Sequence, residues 1–152
     1  MPIHTERREL RQTPAQVFAL VADVERYPEF LPWCLGARVI DRRGQVMTAD
    51  LMIGFKLIRE RYRSRVELIA PERISVVGIS GPLKRLDNQW HFRPLPGGGT
   101  QVDFSIDYEF RSSLLQTLIG TLFSEATHKM VGAFVTRAAA LYPPAEGRSA
   151  LV

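Results

Sequence analysis

The sequence predicts an α+β domain: a curved antiparallel sheet of about seven strands wrapped around one long C-terminal helix, with an apolar cavity between them. Three observations carry this. From Leu35 to Phe110 the apolar residues recur with a period of two, the pattern of strands with one dry and one wet face. The links between these runs are short turn stretches, Arg43-Gly44-Gln45, Pro71-Glu72, Gly81-Pro82 and Pro96-Gly97-Gly98-Gly99. Consecutive strands are therefore antiparallel, because parallel neighbours need long crossovers. After Ser112 the period becomes helical and holds to about Leu141.

Taken in order, Ile3 to Arg11 reads as an exposed first strand, rich in charge. Thr13-Pro14-Ala15-Gln16 is a capping box with proline at the first helical position. The helix it opens runs to about Val24, with Val17, Phe18, Leu20, Val21 and Val24 on one face. Pro28 and Pro32 then break the pattern, and Tyr27 and Leu31 before them favour extended geometry. Any helix there is a single turn. Strands are expected at 36–42, 46–55, 57–70, 73–79, 85–94 and 100–110. The last alternates best, with Val102, Phe104, Ile106, Tyr108 and Phe110 against Gln101, Asp103, Ser105, Asp107 and Glu109.

The closing helix, about 45 Å long at 1.5 Å per residue, gathers Leu115, Leu118, Ile119, Leu122, Phe123, Ala126, Met130 and Phe134 on one stripe. Pro143-Pro144 end it, giving a domain over 1–142 and a flexible tail over 143–152. A sheet that wraps further than one helix can fill leaves a volume beneath it. Such apolar volumes stay dry and take apolar ligands.

Composition narrows the function. The 152 residues suit one domain. Lys and Arg number 20 against 16 Asp and Glu, a net charge of +4, and 17 of the 20 are arginine. Arginine favours carboxylates and phosphates, so anionic partners stay open. The single cysteine excludes a disulfide framework. No secretory signal and no window of eighteen apolar residues is visible, so a cytoplasmic location is expected, peripheral on the inner membrane face if the protein meets lipid. His4, His91 and His128 sit on different elements without ligand spacing, so no metal site is expected. Cys34, beside Trp33 in an apolar setting, reads as an inert buried thiol. The triple-glycine loop lies between strands and is a hairpin, not a phosphate cradle. No catalytic residue stands out; Asp50, Glu60 and Asn88 are the only polar groups placed to point inward as an acid or base.

Two stretches carry more. Arg59, Arg61, Arg63 and Arg65 alternate with Glu60, Tyr62, Ser64 and Val66. Their face is either a solvated outer surface neutralised across the sheet or an anionic docking surface. It shows no stacking aromatics, which disfavours sequence-specific readout. Tyr27-Pro28-Glu29-Phe30-Leu31-Pro32-Trp33-Cys34 sets three aromatics around two prolines: a plug, or a rigid lid over the cavity mouth.

Asp23-Val-Glu-Arg-Tyr-Pro-Glu-Phe-Leu-Pro-Trp-Cys34, Arg59 to Val66, Gly81 to Phe92 and Val102 to Phe110 together resemble the coenzyme Q-binding branch of the START-domain, polyketide cyclase-like superfamily. The resemblance spans about residues 3 to 142. It implies a helix-grip (START-like) fold whose cavity binds ubiquinone, with no covalent cofactor, in support of respiratory electron transport. Bacterial members are also described as ribosome-association toxins, and distant relatives as polyketide cyclases or dehydrases. Lacking a targeting extension, the chain looks like a bacterial form.

Three readings follow. The first is a non-enzymatic carrier or chaperone of ubiquinone or a similar isoprenoid lipid. Its cavity would be lined by Phe18, Phe30, Trp33, Leu51, Ile53, Phe55, Tyr62, Val66, Trp90, Phe104, Ile106, Tyr108, Leu118, Leu122 and Met130, with Ser64, Asn88 or Tyr108 as polar contacts. The second is a ribosome-binding factor that blocks subunit joining through Arg59, Arg61, Arg63 and Arg65; an anionic membrane is the other partner for that face, and DNA is not expected. The third is a cyclase-like enzyme.

Overall fold

The computed structural model describes residues 3–55 and 58–143, the side chains of 55, 58, 115 and 118–124 excepted. Strand β1 (Ile3–Leu10) is followed by helix α1 (Pro14–Ala22) and a 3-10 helix (Val24–Glu29). Six strands come next: β2 (Cys34–Arg43), β3 (Val46–Phe55), β4 (Ile58–Ile69), β5 (Arg73–Ser80), β6 (Leu83–Pro94) and β7 (Thr100–Phe110). Helix α2 (Ser113–Leu141) closes the order. The expected tail falls outside the described residues from 144 onward.

The strands form one seven-stranded sheet in the order β1-β7-β6-β5-β4-β3-β2, antiparallel at every pairing. The middle of the sheet is a plain meander, and only β1 crosses, to pair with β7. Short turns fix this order. In the β6–β7 loop, Gly98 and Gly99 hold φ of 101° and 90°, the left-handed region that glycine enters without strain. The hairpin closes through Leu95 N–H to the Gly99 carbonyl at 3.1 Å.

Helix α1 starts where its capping box dictates. Thr13 Oγ1 accepts from the Gln16 amide at 3.1 Å, and Gln16 Oε1 accepts from the Thr13 amide at 3.0 Å. The helix stops at Ala22, two residues before the expected end, and the chain tightens into 3-10 geometry. That turn contains Pro28 and is longer than the single turn expected. A 3-10 turn accommodates proline because the missing N–H removes one bond and no longer i→i−4 ladder runs through it.

The dry face of the sheet packs on both helices. Val17, Leu20 and Val21 from α1, Met47, Ala49, Ile74, Phe92, Val102 and Phe104 from the sheet, and Val131, Phe134 and Ala138 from α2 are all buried. On β7 burial alternates residue by residue along the whole strand. Buried polar bonds fasten the corner: Thr100 Oγ1 donates to the Gln12 carbonyl at 2.7 Å, and Gln12 Nε2 donates to the Tyr142 carbonyl at 2.9 Å.

Candidate ligand cavity

Between the sheet and the middle of α2 lies a cavity of about 230 Å³. This exceeds the roughly 150 Å³ that suffices for a dry site to hold benzene. Its walls come from alternate residues of each strand: Leu51 and Ile53 on β3, Glu60, Tyr62, Ser64 and Val66 on β4, Ile74 and Val76 on β5, Leu86, Asn88 and Trp90 on β6, Ile106 and Phe110 on β7. Helix α2 adds Ala126, Thr127, Met130 and Phe134; Tyr27 and Trp33 approach from the proline-bounded segment.

Of the side chains expected at the cavity, Trp33, Leu51, Ile53, Tyr62, Val66, Trp90, Ile106 and Met130 line it, as do Ser64 and Asn88. Phe18, Phe30, Phe104 and Tyr108 do not. Phe18 meets Phe92 edge-on at 5.9 Å, and Phe104 packs edge-on against Trp90 at 4.8 Å. Phe30 is held between Tyr27 and Phe134, and Tyr108 lies against Phe110. Each is used up in packing. Phe55, Leu118 and Leu122 lie outside the described side chains.

Several lining residues escaped the sequence reading. Ile74, Val76 and Leu86 were predictable by parity with their strand neighbours. Thr127 sits three residues before Met130, on the inner side of α2, yet its polarity placed it off the apolar stripe.

The polar groups are few. Glu60 is the only charged side chain among the described lining residues. Asn88 donates from Nδ2 to the Ser105 carbonyl at 2.8 Å and accepts at Oδ1 from Trp90 Nε1 at 3.1 Å. This fixes the indole that floors the cavity. Burial pushes the Tyr62 phenol well above its ordinary range, partly offset by a hydrogen bond with Ser64. Burial does the same to Tyr27, whose hydroxyl donates to the Val21 carbonyl. Cys34 is buried and its thiol is pushed up to about 11, so it stays protonated and unreactive. Among the described residues, no group of three or more His, Cys, Asp or Glu is placed to hold a metal.

Asp50 points out of the cavity. It alternates with inward Leu51, and its carboxylate receives Arg63 Nε at 2.7 Å and Nη2 at 3.0 Å. The Arg63 hydrogen bond, opposed by some burial and helped by the charges of Arg63, Arg61 and Arg38, holds Asp50 below the usual carboxylate range. The arginine face is therefore partly neutralised: Arg63 is committed, whereas Arg61 and Arg65 are exposed. The structure adds Arg38, which joins Arg61, Arg63 and Asp50 around an outer groove of about 450 Å³. Elsewhere the outer face is balanced, with Arg85 on Asp107 and Glu109 and Arg7 and Arg93 on Asp103.

Residues 10–135 match the polyketide cyclase/dehydrase and lipid transport family. The chain belongs to that family. Within the polyketide cyclase/dehydrase and lipid transport family it is 40% identical over 129 residues to the ribosome association toxin RatA of Rickettsia prowazekii, covering 82% of this chain and 88% of that protein. It is 32% identical over 143 residues to the coenzyme Q-binding protein COQ10 homolog B, mitochondrial, of Xenopus laevis, covering 91% of this chain and 59% of that one. The Zhui aromatase/cyclase from Streptomyces sp. R1128 shares the fold, with a TM-score of 0.84 at 14% identity over 96% of this chain and 98% of that one. The helix-grip architecture expected from the sequence is the one observed. No described helix is long and apolar enough to cross a membrane.

Proposed function

We infer that the cavity binds ubiquinone or a closely similar isoprenoid quinone, and that the protein is a non-enzymatic carrier or chaperone of that lipid in respiratory electron transport. The observation that carries this is a void of about 230 Å³ walled by aliphatic and aromatic side chains, with a single charged group among the described lining residues. Burying each CH2-sized unit stabilises a complex by about 0.8 kcal/mol, so a few isoprene units reach the roughly 8 kcal/mol of micromolar binding. The relative named for coenzyme Q binding supports the choice of ligand. A cyclase would need a paired acid and base, and among the described lining residues no histidine or second carboxylate accompanies Glu60. The test is mass spectrometry of apolar extracts from native protein, with titration of ubiquinone-2 followed by Trp33 and Trp90 fluorescence. Absence of both co-purified quinone and saturable quenching rejects the reading.

A second reading is favoured by the basic groove and by the relatives named as ribosome association toxins. Here Arg38, Arg59, Arg61 and Arg65 meet ribosomal phosphates while Arg63 stays tied to Asp50. Counterion release makes such binding steeply salt-dependent. Co-sedimentation with ribosomal subunits at two salt concentrations, comparing wild type with Arg38→Glu/Arg61→Glu, tests it. Unchanged co-sedimentation rules out this face; loss of vesicle flotation instead assigns it to an anionic bilayer.

A further inference from the structure

We propose that Glu60 makes the cavity select the reduced, hydroxyl-bearing form of its quinone, ubiquinol, over the oxidised form. The proposal rests on the reading of the cavity as a quinone site and names the redox state it holds.

It follows from an inventory of hydrogen-bonding capacity. Asn88 is fixed on both sides, donating to Ser105 and accepting from Trp90. The Ser64 hydroxyl donates to the Tyr62 phenol oxygen, the sense of hydrogen bond that lowers a phenol's pKa, and leaves the phenol's own proton unspent. Among the described lining groups that stay open toward a ligand head are the Tyr62 phenol, which burial keeps protonated and able to donate, and the Glu60 carboxylate. Glu60 lines the void without an ion-pair or hydrogen-bond partner among the described residues. The arginines that flank it in sequence point to the opposite face of the strand, where Arg61 and Arg63 line the outer groove.

A carboxylate accepts hydrogen bonds and donates none. A quinone head carries only carbonyl and ether oxygens, all acceptors. Placed against Glu60 it would displace water from the carboxylate and return no hydrogen bond, leaving a charged acceptor unsatisfied. A hydroquinone has two O–H groups. One donates to Glu60 in a charge-assisted bond, and the oxygen across the ring accepts from Tyr62. Both forms bury the same tail, so the apolar walls do not discriminate and the choice falls to Glu60.

The experiment equilibrates wild-type protein anaerobically with equimolar ubiquinone-2 and ubiquinol-2 and measures the bound ratio by chromatography. At least a tenfold preference for ubiquinol is expected, equivalent to raising the midpoint potential of the bound two-electron couple by about 30 mV. In Glu60→Gln, whose amide both donates and accepts, the ratio should approach one, mainly through tighter quinone binding. Equal binding of both forms by wild type, or a preference that survives Glu60→Gln, overturns the proposal and leaves the quinone cavity standing. Failure of both forms to bind overturns the cavity reading and the proposal with it.

Discussion

The Arg137 guanidinium lies 5.0 Å from the centre of the Phe30 ring, and its Nη2 also reaches the Glu29 carboxylate. One side chain of α2 thus grips two residues of the proline-bounded segment, while Tyr27 and Phe30 pack edge-on against Phe134. Arg137→Ala is expected to destabilise the fold by about 1–2 kcal/mol, the range for a partly desolvated cation over an aromatic ring. Arg137→Lys should restore only part of this, since an ammonium lacks the planar stacking surface. Urea unfolding checks it; an unchanged midpoint means that the aromatic contacts alone hold the segment.

Acid should loosen the contact between β1 and α2. Glu6 Oε2 receives His4 Nε2 at 2.7 Å and His128 Nδ1 at 2.8 Å. Burial pushes this carboxyl up, but the hydrogen bonds from His4 and His128 and the charges of His128 and Arg8 bring it net below its ordinary 4.5. A depressed native value means stabilisation that is complete above the unfolded pKa and lost as pH falls through the native one. Wild type should therefore exceed Glu6→Gln in stability above the ordinary carboxyl value of 4.5, and the difference should shrink as pH falls below it. A pH-independent difference between the two would contradict this.

Two glycines of one loop should respond oppositely to alanine. A Cβ on Gly99 would stand 2.4 Å from the Leu10 carbonyl oxygen at φ +90°, whereas one on Gly97 meets nothing within 4 Å. Gly99→Ala should cost about 2 kcal/mol or more, and Gly97→Ala should be neutral or gain up to about 1 kcal/mol. Thermal melts of the two variants decide the matter.

Filling the cavity should separate binding from folding. Val76 lines the void and is only half-buried, so Val76→Phe has room for its ring. The melting temperature should hold or rise slightly, while quinone-dependent quenching of Trp90 falls at least tenfold. A variant that melts lower and still binds would show that the ring has been forced into the packed core instead.

Asp50→Asn should strengthen polyanion binding by freeing Arg63 and adding one unit of positive charge to the outer groove. Elution from heparin should shift to higher salt, with a salt-dependence slope steeper by about one. Unaltered elution would mean that the groove takes no part in anion binding.

Much of this architecture was visible as periodicity. Parity along β4 put Glu60, Tyr62, Ser64 and Val66 on one side and the arginines on the other, and all four of the former line the cavity. Asp50, expected among the inward polar groups, is corrected by the same parity: it neighbours inward Leu51 on β3 and lies in the outer groove. Parity cannot separate Phe104 from Ile106, which share a face of β7. One is absorbed by Trp90 and the other borders the void, a distinction set by where α1 and α2 rest on the sheet. Nor could it find the Asp50–Arg63 pair, which needs the β3–β4 register. The meeting of Glu6 with His128, 122 residues away, is likewise a product of topology alone.

The crossing of β1 to β7 has a consequence for how the molecule is made. Ile3 pairs with Asp107 and Leu10 with Thr100, so β1 must wait for β7, some ninety or more residues further along the chain, while β2 through β7 can zip as successive hairpins. Through that interval β1 is an unpaired edge. Its run of Glu6, Arg7, Arg8 and Glu9 makes it a poor template for a neighbouring molecule. Neutralising those charges would register first as lost yield and clumping during refolding, well before any weakening of the finished sheet.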